Sequence, residues 1–372
     1  MSLVLNGTTG ITNLPSINSG QIGGRRNIVI NGEMKVAQRA TSATGKTGGT
    51  SGYFALDRWK LQDGTIGTAG RCTIAQIADG PAGFANCLKL TTTTADTSIA
   101  AGEALILRQS FEGQDVQQLK KGTSSAEQVT VSFYVKGNAA ALYVCELHDV
   151  DNGRNNTQSF AVTTDWNRIE LTFAADTSDP LDDDTAVSLS LNFWLHSGSN
   201  YSGGTFASNT WADITLANTT AVANRTSIYD STNRTFFLTG VQMEIGSTAT
   251  EFEHRSFCEE YDLCKRYYYQ SYDLGVAAGT TSNAGAIMIY SITGNTFRYN
   301  IYFSPSMRAS PTMTFYNVED GTAGEMNREG AGGTSPEEIA ITFNSPKRAM
   351  LYNTNIGIAG NYYFHYTASA EL

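Results

Sequence analysis

Few residues in this sequence have the types and spacing that catalysis or metal binding requires. The chain has four histidines, and His196, His254 and His365 have no acidic residue or cysteine at the spacing of metal ligands. GxSxG, HExxH and P-loop motifs do not occur, and the segment 45–50, GKTGGT, lacks the upstream glycine of a P-loop. We therefore expect no enzymatic activity and no catalytic cofactor.

Acidic residues form two short clusters that deserve comparison with cation-binding loops. In HDVDNG, residues 148–153, Asp149 would be position one of a calcium loop. Arg154 and Phe160 would then occupy positions six and twelve, where an EF-hand needs Gly and Glu, so we interpret this segment as a turn. The aspartates at 182–184 predict either a solvated turn or a cation site. Paired carboxylates roughly 5–9.5 Å apart could hydrolyse a glycoside, but a sequence does not give that distance.

Tryptophans could stack on the apolar face of a sugar ring while neighbouring polar groups bind its hydroxyls. Trp59, Trp166 and Trp194 all lie next to or within apolar strand patterns, so we predict that they belong to the core. Trp211 lies in the long polar stretch 197–233 and remains a candidate for glycan binding.

Aromatic residues near the C-terminus form a second group of glycan-binding candidates. Strand periodicity places them on the face opposite the apolar one, because alternate side chains of a strand point to opposite faces. These candidates are Tyr302, Tyr352, Tyr363 and His365. The same face could instead pack against a neighbouring subunit.

Strand patterns dominate the elements that must position these residues. Apolar residues alternate over 129–135, 169–173 and 187–193, and polar turn clusters separate these runs. Strict alternation indicates antiparallel sheets with one buried face. We therefore predict a mainly β protein with an antiparallel two-sheet jelly-roll sandwich. Further alternating runs predict a second, C-terminal β-domain over 271–372.

One short connecting helix is predicted at 257–268, between the two β regions. Ser256 and Glu259 form a capping box, and Phe257, Tyr261, Cys264 and Tyr268 follow at helical spacing. The helix is expected to bury this apolar stripe against the sandwich or against a symmetry mate.

Three segments resemble a module that is common in tail-fibre proteins of tailed phages. Residues 241–269, VQMEIGSTATEFEHRSFCEEYDLCKRYYY, match the module's closing pattern, VQLE-G-x-x-ATxFEHR-x-x-x-EE-x-x-x-C-x-RYY. Residues 27–39, NIVINGEMKVAQR, resemble its opening strand, although Ala40 replaces the final glycine. Residues 56–59, LDRW, resemble its "ADRW" signature, so the matches bracket 25–270.

The resemblance implies a receptor-binding tail-fibre protein whose sandwich is similar to carbohydrate-binding modules. The expected organisation is an attachment or trimerisation segment at 1–24, a jelly-roll domain at 25–256, a linker helix at 257–270 and a receptor-binding domain at 271–372. The expected partners are a phage tail or baseplate protein, two further copies in a homotrimer, and a host surface polysaccharide. Such modules often carry a structural calcium ion, which would lie here near Glu33 and Glu244.

Other readings remain open. The segment 1–24 could be a frayed terminus instead of an attachment segment. The whole chain could be a glycan-degrading tailspike, although no repeat of 20–30 residues is visible. It could also be a virion structural or decoration protein without receptor binding, or a cellular carbohydrate-binding module.

Composition and charge limit the possible compartments and partners. The formal net charge of −10 and the pI near 4.9 argue against a nucleic-acid partner, which needs a basic surface. The apolar runs fall short of the about 18 residues of a membrane span, and we identify no signal peptide at the N-terminus. The odd number of cysteines, five, fits synthesis in a host cytoplasm before assembly into a virion.

Overall fold

The computed structural model describes residues 16–17, 20–21, 25–291, 297–329, 337–338, 340–353 and 359–372. Of these, positions 16–17, 20–21, 297, 337–338 and 353 are described by their backbone alone. Most of the predicted attachment segment, 1–24, therefore lies outside the described residues.

The first part of the chain consists of short strands joined by polar turns. The strands are β1 (Ser16–Ile17), β2 (Gly20–Gln21), β3 (Ser42–Lys46), β4 (Lys60–Asp63), β5 (Arg71–Ile77), β6 (Cys87–Thr94), β7 (Ala104–Glu112), β8 (Val129–Gly137), β9 (Ala141–Asp149), β10 (Arg154–Val162), β11 (Asn167–Phe173), β12 (Val187–Ser197), β13 (Ala212–Asp213) and β14 (Thr235–Ile245). Short helical turns interrupt them at α1 (Gly113–Val116), Gln117–Leu119, α2 (Ser199–Ser202) and Leu216–Asn218.

Twelve of these strands form two antiparallel six-stranded sheets that pack face to face. The front sheet has the order β13-β10-β9-β12-β7-β4, and the back sheet has the order β11-β8-β14-β6-β5-β3. Many neighbouring strands in space are distant in sequence, as in a jelly roll. The predicted mainly β fold with an antiparallel jelly-roll sandwich is confirmed.

The core of the sandwich follows from the alternation in the strands. In β8, Val131, Phe133 and Val135 are fully buried. The Phe133 ring lies edge-on to the rings of Phe160 and Phe193, each with a centroid distance of 5.0 Å. Because β8 belongs to the back sheet and the other two rings to the front sheet, these contacts join the two sheets.

A nine-residue helix, α3 (Phe257–Lys265), follows the sandwich and begins where the cap is predicted. The Ser256 hydroxyl accepts a hydrogen bond from the Glu259 amide at 3.2 Å. The Glu259 carboxylate forms an ion pair with Arg25 at 3.0 Å. The helix ends earlier than the predicted residue 268, because Tyr268 enters a strand. Phe257, at the start of the predicted apolar stripe, is 43% exposed, whereas Cys264 is fully buried.

The remaining strands form a second β region. They are β15 (Tyr268–Gln270), β16 (Ile287–Ser291), β17 (Phe297–Tyr302), β18 (Thr312–Asn317), β19 (Glu325–Arg328), β20 (Glu337–Glu338), β21 (Ala340–Ser345), β22 (Arg348–Asn353) and β23 (Gly360–Ser369). β23 is central, since β15, β16, β18 and β19 all pair with it. β17, β22 and β21 form a separate three-stranded sheet.

The end of the chain returns to the jelly roll and binds it. The Glu371 carboxylate forms ion pairs with Arg58 and, at 3.0 Å, with Arg39. The Arg58 guanidinium also lies 3.4 Å from the ring centroid of Tyr267. Arg58, in the LDRW signature, thereby contacts both the chain segment after α3 and the C-terminus. The predicted domain boundaries are not tested by these contacts.

Candidate functional site

The outer face of the front sheet carries polar side chains in a continuous row. On an ordinary solvated sheet face, polar side chains would be scattered. The antiparallel register places Arg108 of β7 opposite Asn192 of β12, and Asn192 opposite Glu146 of β9. Their neighbours in the strands, such as Leu107 and Phe193, point into the sandwich core. Because side chains alternate along a strand, the three polar residues share the opposite face.

The segment 198–222 covers one half of this face. Tyr201 of α2 packs on Trp194, with 5.2 Å between the ring centroids. With Ala104, Ile106 and Val144 these two rings form an apolar cluster that is separate from the main core. This segment therefore makes a wall above the sheet.

An open groove of about 240 Å³ lies between this wall and the end of β4 with the turn that follows it at residues 64–65. The Thr65 amide donates to the Tyr201 hydroxyl at 3.0 Å and so joins the turn to the wall. Gly64 packs against the backbone of Gly102. A Cβ atom on residue 64 would lie 2.4 Å from the Gly102 carbonyl oxygen. The groove is lined by Gln62, Asp63, Gly64, Thr65, Ile106, Arg108, Glu146, His148, Trp194, Tyr201, Ile214, Leu216 and Thr219.

A continuous hydrogen-bond network fixes the side chains on the groove floor. Glu146 Oε2 accepts from the Trp194 indole N–H at 2.7 Å and from the Asn192 amide at 2.8 Å. The Asn192 side-chain oxygen accepts from Arg108 Nε at 2.7 Å, and Arg108 Nη1 donates to Gln62 Oε1 at 2.7 Å. Asn192 is fully buried and does not itself line the groove, so it links the Glu146 carboxylate to the Arg108 guanidinium and orients both.

Electrostatics suit an uncharged polar ligand. Burial lowers the pKa of His148, although the Glu146 carboxylate partly opposes this shift. The imidazole is therefore neutral at pH 7 and can donate and accept hydrogen bonds. Arg108 and Glu146 contribute opposite charges to the same row, and Asp63 adds a second carboxylate to the lining, so the groove presents both donors and acceptors. Such a surface can bind several hydroxyl groups at once.

Trp211, the predicted candidate in the long polar stretch, lies away from this groove. Its indole N–H donates to the Ala174 carbonyl oxygen at 2.7 Å, and its ring packs partly buried against the sandwich core. The Lys121 ammonium lies 5.6 Å from the ring centroid. The ring therefore closes the side of the sandwich near Lys121.

The four C-terminal candidates are divided between two sheets. Tyr302 and Tyr352 share one face of the three-stranded sheet, where they lie opposite Arg348 and Arg298 respectively. Tyr302 is 67% exposed. Tyr363 lies on β23, opposite Met288 of β16.

His365 is fully buried, unlike the other candidates. Its Nδ1 lies 2.9 Å from Ser271 Oγ and its Nε2 lies 2.9 Å from the Ser282 carbonyl oxygen. Its ring stacks on Tyr272 at 3.8 Å. As a correction to the predicted glycan contact, His365 packs inside the second β region, because both ring nitrogens already have partners.

Glu33 and Glu244, which were predicted to lie near a structural calcium ion, each interact with a different set of protein groups. Glu33 pairs with Lys35 at 2.5 Å and with His254 Nδ1 at 2.7 Å. Glu244 accepts from the Thr250 amide at 2.9 Å and from its hydroxyl at 2.7 Å. A calcium ion at either carboxylate would have to compete with these donors.

Sequence reasoning missed the groove, although a signal was present. Trp194 was predicted to lie in the core because its strand is apolar, and it is buried, but in the small cluster with Tyr201 and not in the main core. Its position is, however, out of phase with Leu189, Leu191 and Phe193, which are the core residues of β12. The same phase argument places Arg108 and Glu146 outside the sandwich core. The signal was therefore the polar phase of otherwise apolar strands.

Comparisons with known proteins give structural matches alone. No family model matches the chain, and no curated protein matches it. The family 11 carbohydrate-binding module of the cellulase Lic26A-Cel5E of Clostridium thermocellum is similar at 13% identity and a TM-score of 0.28, over 56% of this chain and 99% of that one. The enzymatically active domain of tailspike protein 4 of bacteriophage CBA120 is similar at 13% identity and a TM-score of 0.26, over 50% of this chain and 19% of that one.

A third match spans more of the chain. The N-terminal tandem of CBM22 domains of Xyn10C from Paenibacillus barcinonensis covers 90% of this chain and 91% of its own, at 13% identity and a TM-score of 0.26. These scores are too low to carry any conclusion about function, which has to be inferred from the groove itself. Among the described residues, no helix is long and apolar enough to cross a membrane.

Proposed function

We propose that this protein is a non-enzymatic tail-fibre protein that binds a bacterial surface glycan in the groove of the front sheet. The observation that carries the proposal is the fixed row of Arg108, Asn192 and Glu146 beside the Trp194 and Tyr201 rings. Preoriented donors and acceptors lower the entropy that binding costs. The Trp194 and Tyr201 rings are 7% and 4% exposed, so they support this row and do not stack on the sugar.

The ligand is inferred to be a neutral polysaccharide segment. The groove is open to the surface, so a segment of a polysaccharide can enter it. Its lining carries the Arg108 guanidinium and two carboxylates, Glu146 and Asp63, which disfavours an anionic sugar. Individual contacts of this kind are weak, and several copies on one particle would raise the avidity through effective concentration.

The assignment to a virion rests on the tail-fibre resemblance of residues 25–270. On this proposal the protein attaches to the tail or baseplate through 1–24 and assembles as a homotrimer. A truncation that begins at Arg25 should fold and fail to join particles. Normal incorporation of that truncation would contradict the attachment role of 1–24.

A second candidate site for the glycan is the exposed face of the three-stranded sheet. Tyr302 and Phe343 are 67% and 61% exposed there, which is unusual for large aromatic and apolar side chains. This face could bind the glycan in place of the groove, as a distal receptor-binding region would.

Competition with phage adsorption tests the proposal and separates the two sites. The purified full chain should bind host cells and block adsorption. Arg108→Gln should weaken this block about tenfold or more, because a hydrogen bond to a charged group contributes roughly 1.5–3 kcal/mol. Tyr302→Ala is the matched control and should block as well as the unmodified chain.

The opposite result would move the site to the C-terminal region. If Tyr302→Ala loses the block and Arg108→Gln keeps it, recognition lies on the three-stranded sheet. Release of reducing ends from host polysaccharide by the purified chain would favour a glycan-degrading tailspike. No binding to host cells at all would favour a virion structural protein without receptor binding.

A further inference from the structure

Two acidic residues and a histidine lie close together at one end of the sandwich, outside the groove. Asp96 follows β6, Glu103 precedes β7, and His196 is the last residue but one of β12. The register of β7 and β12 places His196 opposite Leu105, so its side chain comes beside Glu103. The Asp96 amide donates to the Tyr229 carbonyl oxygen at 2.8 Å, which fixes the β6–β7 connection at this end.

The distances match those of metal ligands. One ligand atom from each of Asp96, Glu103 and His196 lies within 4.8 Å of the other two. His196 Nε2 and Glu103 Oε2 are 3.7 Å apart. In a tetrahedral zinc site with bonds of about 2.0–2.1 Å, ligand atoms lie roughly 3.4 Å from one another. Small side-chain rotations would therefore bring the three atoms to bonding distance.

The imidazole of His196 points an unpartnered nitrogen at the two carboxylates. The His196 side chain is 0% exposed, and its Nε2 has no hydrogen-bond partner among the described residues. The 3.7 Å distance to Glu103 is too long for a hydrogen bond. The other nitrogen, Nδ1, lies 2.8 Å from Ser227 Oγ, which can accept a hydrogen bond from the Nδ1–H group. Such a partner for the second ring nitrogen is typical of metal-binding histidines.

The two carboxylates also lack a protein counterion. Asp96 and Glu103 are 5% and 6% exposed, and over the described ranges neither forms an ion pair with a lysine or arginine. Hydrogen bonds orient both groups. Thr68 Oγ1 and the Ala69 amide donate to Asp96 Oδ2 at 2.7 and 3.0 Å, and the Ser98 amide donates to Asp96 Oδ1 at 3.2 Å. The Ala100 amide donates to Glu103 Oε2 at 2.8 Å. Buried carboxylates without a countercharge are costly, and a divalent cation between them removes that cost.

We propose that Asp96, Glu103 and His196 form a structural site for a divalent transition-metal ion of the Zn²⁺ type. An imidazole ligand suits zinc and its neighbours, whereas calcium and magnesium prefer oxygen ligands alone. The ion would tie the β6–β7 connection, which runs from the back sheet to the front sheet, to the end of β12 in the front sheet. It would also brace the wall of the groove, because the Gly198 amide donates to the Glu103 carbonyl oxygen at 2.8 Å. The inference does not depend on glycan binding.

Zinc titration of the full, tag-free chain after chelator treatment tests the proposal. We expect one Zn²⁺ ion per chain and a rise in melting temperature that depends on zinc concentration. His196→Gln should lower the affinity more than about 100-fold, because loss of an outer-shell partner alone costs about 10–100-fold at metal sites. His254→Gln is the control, because His254 contacts Glu33 elsewhere, and it should leave the affinity unchanged.

Nitrogen NMR of the unmodified chain avoids any failure of the variant to fold. On addition of Zn²⁺, the Nε2 resonance of His196 should shift, and the resonances of the other three histidines should not. No zinc binding, a shift confined to another histidine, or full affinity in a folded His196→Gln chain would overturn the proposal.

Discussion

Neutralising Glu371 by Glu371→Gln should destabilise the jelly roll, although residue 371 is the last but one of the chain. Its carboxylate pairs with Arg58, whose side chain is 1% exposed, and with Arg39, whose side chain is 13% exposed. Breaking a buried ion pair by removing one partner costs about 3–5 kcal/mol, since the remaining charge stays buried.

The expected loss lies at the lower end of that range. Arg58 keeps its contact with the Tyr267 ring and its hydrogen bond to the Ser110 carbonyl oxygen at 2.6 Å. Arg39 keeps its ion pair with the Asp57 carboxylate, at 3.3 Å. We therefore expect the free energy of unfolding to fall by about 3 kcal/mol.

Urea unfolding followed by tryptophan fluorescence provides the assay. The four tryptophans all lie between residues 59 and 211, so the signal reports on the jelly roll and not on the C-terminal strands. Glu127→Gln is the matched control, because Glu127 pairs with Lys120 at an exposed site, and it should cost less than about 1 kcal/mol. If both variants unfold within about 0.5 kcal/mol of the unmodified chain, Glu371 does not hold a buried charge pair and the reasoning is refuted.

Two further predictions concern the segment around α3 and the cysteines. Ser256→Ala should lower the free energy of unfolding by about 1 kcal/mol through loss of the helix cap, as measured by the same urea assay, and an unchanged value would show that the cap is dispensable. A thiol reagent at pH 8 should label one cysteine quickly in the native chain and five after denaturation, because Cys258 is exposed and burial raises the pKa of the other thiols. Rapid labelling of two or more native thiols would contradict the predicted burial of Cys72, Cys87, Cys145 and Cys264.

Local patterns in the sequence predicted the strands and the start of the helix α3. Alternation over 129–135 and 187–193 predicted strands with the correct buried phase, and Ser256 predicted the first residue of α3. The end of α3 was not predictable from spacing, since Tyr268 has helical periodicity but gains backbone hydrogen bonds by pairing with Ser369. Pairing of this kind depends on a strand that lies 100 residues away in the chain.

The candidate sites depend on how strands that are distant in sequence pair with one another. The spacing of residues along the chain does not reveal this pairing. His196 has no acidic residue at ligand spacing, yet the fold brings Asp96 and Glu103 to it. The polar row of the groove likewise combines β7, β9 and β12, and its members become neighbours through strand pairing. The polar phase of each strand was visible in the sequence, whereas the strand order that aligns them was not.

The indole N–H resonances of the four tryptophans test glycan binding in the groove most directly. The Trp194 indole N–H donates to Glu146 on the groove floor, whereas Trp59 is fully buried and Trp211 donates to Ala174 at another side of the sandwich. Addition of an oligosaccharide from the host polysaccharide should shift the Trp194 resonance in a saturable manner and leave those of Trp59 and Trp211 in place. Saturable binding of the oligosaccharide without a shift at Trp194, or with a shift at Trp211 alone, would contradict the placement of the glycan in the groove.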